Sequence, residues 1–185
     1  MHFPSVAATV IFSLVTSTSA LPQDSLLSRS DGAYTVQFND DGTRHVLNFV
    51  ASASISANES LTLALERSLV DPRGTATTCE GVILDQPSLV NAWNGEMNYL
   101  GAGVNLGSNQ VVYTKAGSVV VYACSYTGSN TFTAATIQNA LTAVSSACGD
   151  LTSGYERCKA ACGTADSTIG RKQNGADFCW PGFKG

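Results

Sequence analysis

The run Ser118-Val119-Val120-Val121-Tyr122-Ala123-Cys124-Ser125-Tyr126 decides the fold of this chain. Its β-branched and aromatic residues read as a strand. Lys115-Ala116-Gly117 supplies a turn before it, and residues 111–113 form the strand that enters that turn. Downstream, Thr133 is placed to cap a helix on which Ile137, Leu141, Val144 and Cys148 share one face, and Gly149 ends it. Upstream, Val82-Ile83-Leu84 suits a short buried strand, and Asp85 caps a second helix with Pro87 in its first turn. Leu89, Val90, Trp93, Met97 and Leu100 fall on one face of that helix, and Gly101 and Gly103 terminate it. Residues 150–185 are glycine-rich, with a last short strand expected near 151–155 or 177–180. The order strand, helix, strand, strand, helix, strand (βαββαβ) predicts an α+β fold, a split βαβ sandwich with two helices on one antiparallel sheet.

Six cysteines lie in this part of the chain: Cys79, Cys124, Cys148, Cys158, Cys162 and Cys179. Their chemistry depends on compartment, and the N-terminus indicates it. Residues 1–20 read as a secretory signal peptide, with an apolar run over 6–15 and Thr18 and Ala20 at the small-residue cleavage positions. The run is well short of the ~20 apolar residues of a transmembrane span, and no later segment comes close. A secreted, extracellular chain with an even number of cysteines is expected to be disulfide-stabilised. The spacing of Cys158 and Cys162 would suit zinc, but no histidine lies near them, so neither a metal nor a cofactor is expected. In a split βαβ sheet the start of the first strand and the end of the third lie at one edge. Cys79–Cys124 is therefore the expected bridge, with Cys148 tied to Cys158, Cys162 or Cys179.

Residues 21–78 contain no cysteine and form a separate N-terminal region, leaving 79–185 as the cysteine-rich α/β domain. Tyr34, Val36 and Phe38 alternate with polar or small residues, Asn39-Asp40-Asp41-Gly42 supplies turn chemistry, and His45, Leu47 and Phe49 alternate again. Residues 33–50 thus predict a β-hairpin. The aspartates of the turn lack the spaced ligands of a calcium loop. Leu61, Leu65 and Leu69 suggest a helix within 52–73, closed by Asp71-Pro72-Arg73-Gly74, and 75–78 read as linker. Asn58-Glu59-Ser60 is a glycosylation sequon, which makes the chain a candidate glycoprotein modified at Asn58. The region has the place of a pro-segment, but no dibasic pair marks a cleavage site, so it is read as part of the mature protein.

Composition narrows the chemistry. The 185 residues carry 14 acidic and 10 basic side chains, a net charge of −4 that argues against nucleic acid as a partner. With 44% hydrophobic and 13% charged residues the chain is not of the disordered class. Of the two histidines, His2 leaves with the signal peptide and His45 reads as a solvent-facing strand residue. Sites that move a proton through an imidazole are accordingly excluded. There is no G-x-S-x-G elbow, no H-E-x-x-H and no phosphate loop. Paired carboxylates remain: Glu80, Asp85, Glu96, Asp150, Glu156, Asp166 and Asp177 lie in the cysteine domain, and a glycosidase needs two. Each also has an ordinary reading, with Asp85 as a cap, Glu96 on the wet face of its helix and Asp150 just beyond a helix. Arg157, Lys159, Arg171, Lys172 and Lys184 read as scattered solvated charges. Trp93 reads as core, while Trp180 and Phe183 beside Cys179 read as a hydrophobic plug over the sheet.

The strand ending in Cys124-Ser125-Tyr126, the helix ending in Ala147-Cys148-Gly149, and then Ser153-Gly154-Tyr155, Ile169-Gly170-Arg171 and Phe178-Cys179 resemble small secreted cysteine-rich proteins of fungi. The likeness covers residues 79–179 and is greatest to the Ecp2-like effector and KP4-like killer-toxin families. It implies a compact α/β sandwich of split βαβ units that acts outside the producing cell. KP4-type toxins are more basic and more densely cross-linked, so channel-directed activity does not carry over, and no functional residue of either family maps onto a position here. The expected function is that of an effector-like or toxin-like protein, not an enzyme. It would act as a monomer on an extracellular target, a glycan or protein of a host or competitor cell surface. The alternative is a secreted two-carboxylate hydrolase acting on cell-wall glycan. A surface-coat protein would need a large exposed apolar patch, which the modest aromatic content does not suggest.

Overall fold

An apolar side chain at nearly every position of residues 119–125 is tolerable only in a strand covered on both faces. The computed structural model describes residues 29–39, 43–52, 76–158 and 166–179, and it places this strand at the centre of a sheet. The elements are β1 (Gly32–Phe38), β2 (Arg44–Ala51), β3 (Ala76–Ile83), α1 (Gln86–Leu100), β4 (Val104–Leu106), β5 (Gln110–Ala116), β6 (Val119–Ser125), β7 (Asn130–Phe132), α2 (Ala134–Cys148), β8 (Thr152–Cys158) and β9 (Ser167–Gln173). Seven strands form one sheet in the order β2-β1-β5-β6-β9-β8-β3, with every neighbouring pair antiparallel. β4 and β7 make a separate short ladder.

The chain is of the α+β class, and its described residues place two helices on an antiparallel sheet. Each helix joins two strands that run in the same direction with others inserted between them. α2 leads from β6 to β8 past β9, and α1 leads from β3 to β5 past β8, β9 and β6. This is the split βαβ arrangement. Along β6, Val119, Val121 and Ala123 face the helices with Leu89, Trp93, Ile137 and Leu141. The alternate residues Val120, Tyr122 and Cys124 face the other way, into a second cluster with Tyr34, Val36, Tyr113 and Phe178.

Local chemistry fixes both helices. The Asp85 carboxylate accepts from the Ser88 backbone N–H at 3.0 Å, and Gly101, at φ 46°, ends α1. The Thr133 hydroxyl accepts from the Thr136 N–H at 3.1 Å, and Gly149 closes α2. Gly95 lets α1 lie close on β5, since a Cβ there would sit 2.7 Å from Thr114 Cγ2.

Residues 33–50 form the expected hairpin strands, but not as an appendage. β1 pairs with β5 as well as with β2, and Tyr34 stacks on Tyr113 with ring centroids 4.9 Å apart. The boundary read at residue 79 falls inside β3, so residues on both sides of it share one sheet. β4, β7 and β9 were not legible as strands, and of the two places expected for the closing strand, the first is β8. The signal peptide, the 53–73 portion of the expected helix with Asn58, the turn aspartates Asp40 and Asp41, Lys159, Cys162, Trp180, Phe183 and Lys184 lie outside the described residues.

The disulfide expectation is corrected. Cys79 bonds Cys148 and Cys124 bonds Cys179, each with Cα atoms 5.4 Å apart. Cys158 is also disulfide-bonded, with its partner outside the described residues. Cys79 lies on the edge strand β3, three ladder spacings from Cys124 on β6, roughly 14 Å. It also faces α2, whereas Cys124 faces the opposite side of the sheet. The two bridges therefore hold different layers: one ties the end of α2 to the sheet edge, the other ties the C-terminal segment over the sheet centre.

The closed loops span 69 and 55 residues. Replacing either pair by serines is expected to lower stability by up to about 4 kcal/mol in the chain-entropy limit, read as a shift of the urea midpoint. Full reduction should lower the melting temperature strongly, and an unchanged one would contradict this account.

Candidate functional site

The sheet distributes the carboxylates named from the sequence over both its faces and its ends. Asp85 caps α1; the Ser88 hydroxyl, then the Ser88 N–H, hold its carboxyl below the usual carboxylate value. Glu80 on β3 meets Lys172 on β9 at 2.7 Å. Asp166 meets Arg157 at 3.3 Å, and Asp177 lies 3.8 Å from Arg44. Asp150 is exposed just past α2. Glu156 is buried, alternating with Tyr155 and therefore on the helix-facing side of β8. Glu96 is fully buried between α1 and β5.

Glu96 corrects its assignment to a wet helix face. It lies three residues after Trp93 and four before Leu100, both buried, so helical spacing alone brings it to the core side. The Thr114 hydroxyl donates to its Oε2 at 2.7 Å, while its Oε1 is buried without a hydrogen-bond partner. Burial raises its pKa to about 8, and the Thr114 hydrogen bond offsets part of that rise.

Arg171 is likewise not a solvated charge. It is fully buried on β9, and its guanidinium donates to Thr152 O at 2.9 Å, Ser145 Oγ at 2.9 Å and Gly149 O at 2.7 Å. It therefore closes the C-terminal end of α2, where free carbonyls and the helix dipole favour a cation. Burial lowers its pKa to about 10, and the charge of Asp150 acts the other way.

His45 is exposed on the edge strand β2, opposite Gln37. No group of three or more histidine, cysteine, aspartate and glutamate side chains is placed to hold a metal among the described residues. No helix among them is long and apolar enough to cross a membrane.

What the described surface does present is apolar. Val46, Leu47 and Phe49 on β2 are 42%, 55% and 42% exposed, and Ile83 at the opposite sheet edge is 73% exposed. The sequence placed His45, Leu47 and Phe49 on one face by alternation. A bulge in the β1–β2 ladder breaks that pattern: Val46 pairs with Val36, Asn48 with Thr35, and Leu47 is the extra residue between them. Phe178 fills the role expected of a plug, stacking on Tyr122 at 4.7 Å and edge-on to Tyr113 at 5.5 Å.

No family model matches the chain, and no curated protein or solved structure matches it.

Replacing Arg171 by methionine keeps bulk but removes the donor to Thr152 O and one of two donors to Gly149 O, which retains the Thr152 N–H at 3.2 Å. An orphaned buried acceptor costs about 1–3 kcal/mol, so the urea midpoint should fall. A loss under about 1 kcal/mol would remove Arg171 from this structural role.

Proposed function

We propose that the protein acts outside the producing cell as an effector-like or toxin-like binding protein, directed at a protein or glycan on a host or competitor surface. The observation that carries the reading is the exposed apolar row of Val46, Leu47 and Phe49 on β2, the kind of surface that marks a contact site. Disulfides on both sides of the sheet suit an oxidising extracellular medium. The resemblance to Ecp2-like and KP4-like families points to the same class of activity. A two-carboxylate hydrolase draws no comparable support. Glu80, Asp166 and Asp177 each face a cation, Asp85 holds a helix end, and Glu96 and Glu156 are buried. The protein is read as a monomer, because bulges interrupt both edge strands, β2 against β1 and β3 against β8, and bulged edges pair poorly with a second copy.

The test applies purified oxidised protein to living plant tissue and to fungal cells, with ion leakage and growth as readouts. The oxidised form is expected to act and a reduced, alkylated form to be silent. A Val46→Ser, Leu47→Lys variant should keep its melting temperature and lose about tenfold or more in potency, the effect of removing a contact worth roughly 1.4 kcal/mol. Equal potency of this variant and the parent would overturn β2 as the contact strand; no response to the oxidised form would overturn the toxin-like reading.

A further inference from the structure

We propose that Glu96 makes the seat of α1 on the sheet a proton-dependent latch, closed as the carboxylic acid and loosened when the carboxylate forms. The latch follows from the packing of α1 and stands apart from the binding reading.

A buried carboxylate persists only beside a cation or several hydrogen-bond donors. The elements around Glu96 offer one hydroxyl, that of Thr114 on β5, and Oε1 has no partner. The next residue of β5, Lys115, points to the other face of the sheet, where its Nζ meets Arg29 O and lies 3.3 Å from Asp31. From β6 the helix-facing residues are Val119, Val121 and Ala123, while Tyr122 and Cys124 face away. β1 turns Ala33 and Thr35 toward the helices and Tyr34 away. α2 carries no acid, base or histidine; its Cys148 is bonded to Cys79, and its Gln138 accepts from Trp93 Nε1 at 3.2 Å. Within α1 the other ionisable group is Tyr99, whose hydroxyl is shared with Thr35 at 3.0 Å and accepts from Asn48 at 2.9 Å. On β2, His45 is exposed, and Arg44 lies over the Phe38 ring and 3.8 Å from Asp177. Among the described residues, then, no cation faces Glu96. The close approach at Gly95 presses this part of α1 onto Thr114, so forming the carboxylate requires the helix to move.

The direction of the pH dependence follows. Burial raises the folded-state pKa to about 8 from the ordinary glutamate value of 4.5, so the folded chain holds this proton more tightly than the unfolded chain. The stabilisation is full below about pH 4.5, is lost progressively as pH rises to about 8, and is then gone. Over that window the folding equilibrium falls by up to about tenfold per pH unit. Because Tyr99 ties α1 to Thr35 of β1 and Asn48 of β2, loosening of α1 reaches the edge strand.

The experiment compares the parent with Glu96→Gln, which keeps the size and the acceptor for Thr114 but stays neutral. Urea midpoints are measured from about pH 4 to about pH 9, with Trp93 emission followed in a Trp180→Phe background. The parent is expected to lose up to about tenfold per unit relative to Glu96→Gln between about pH 5 and 8, with a red shift of Trp93 that the variant lacks. Parallel stability curves overturn the latch. If Glu96→Gln does not fold, the carboxyl carbon resonance of Glu96 in the parent decides the matter: titration near pH 8 upholds the proposal, and titration between about pH 4 and 5 overturns it.

Discussion

Burial of β6 on both faces is the constraint on which the other layers depend. A strand whose every residue is buried must be covered twice, and the chain meets the two demands by different means. On one side, two capped helices lay apolar faces over Val119, Val121 and Ala123. On the other side no helix lies among the described residues. Tyr34, Tyr113 and Tyr122 cover it together with Phe178, a residue on a short segment without regular structure. Burying a phenylalanine ring yields about 1.5–3 kcal/mol, too little to order such a segment against its own conformational entropy. The Cys124–Cys179 bridge supplies the missing constraint, fixing the residue next to Phe178 onto the very strand that needs covering. Disulfide and aromatic stack therefore act as one device, and neither would hold the segment alone.

The helix side shows two answers to the burial of charge. Arg171 keeps its charge because three acceptors and the C-terminal end of α2 converge on it. Among the described residues Glu96 has a single donor and faces no cation, and burial raises its pKa to about 8. The difference comes from position. Arg171 lies where a helix ends and unpaired carbonyls are plentiful, whereas Glu96 lies midway along α1, where backbone groups are already paired within the helix.

These two residues also mark where the sequence stops being legible. The β5–β6 pair, both helices with their caps, and the β1–β2 hairpin could be read, because apolar periodicity, turn residues and capping side chains are local signals. β9 (Ser167–Gln173) could not. Apart from Ile169 its side chains are polar or absent, and a buried Arg171 looks in sequence like a solvated one. Without β9 the span between β6 and β8 is misjudged, and with it the disulfides: Cys79 is close to Cys124 only in a sheet that lacks the inserted strands. The row on β2 was misaligned for a different reason. A single extra residue at Leu47 reverses the alternation beyond it, and a bulge has no composition cue when no glycine marks it. Glu96 was the exception that could have been found, since its spacing from Trp93 and Leu100 already placed it on the apolar face.

The bulge bears on how β2 would meet a partner. Adding a strand to a sheet edge needs a regular row of outward N–H and C=O groups, and the extra residue at Leu47 interrupts that row at its middle. The same bulge leaves Leu47 the most exposed of the three apolar side chains. A partner docking here would therefore be held by side-chain contacts and not by main-chain pairing. This also separates recognition from aggregation, because apolar side chains can stay in water at an edge whose backbone is poorly arranged for growth. β3 follows the same logic at the far edge, with Gly81 at φ 76° within its irregular stretch and Ile83 exposed beyond it. Both edges thus combine exposed apolar side chains with a backbone too irregular to add a further strand in register.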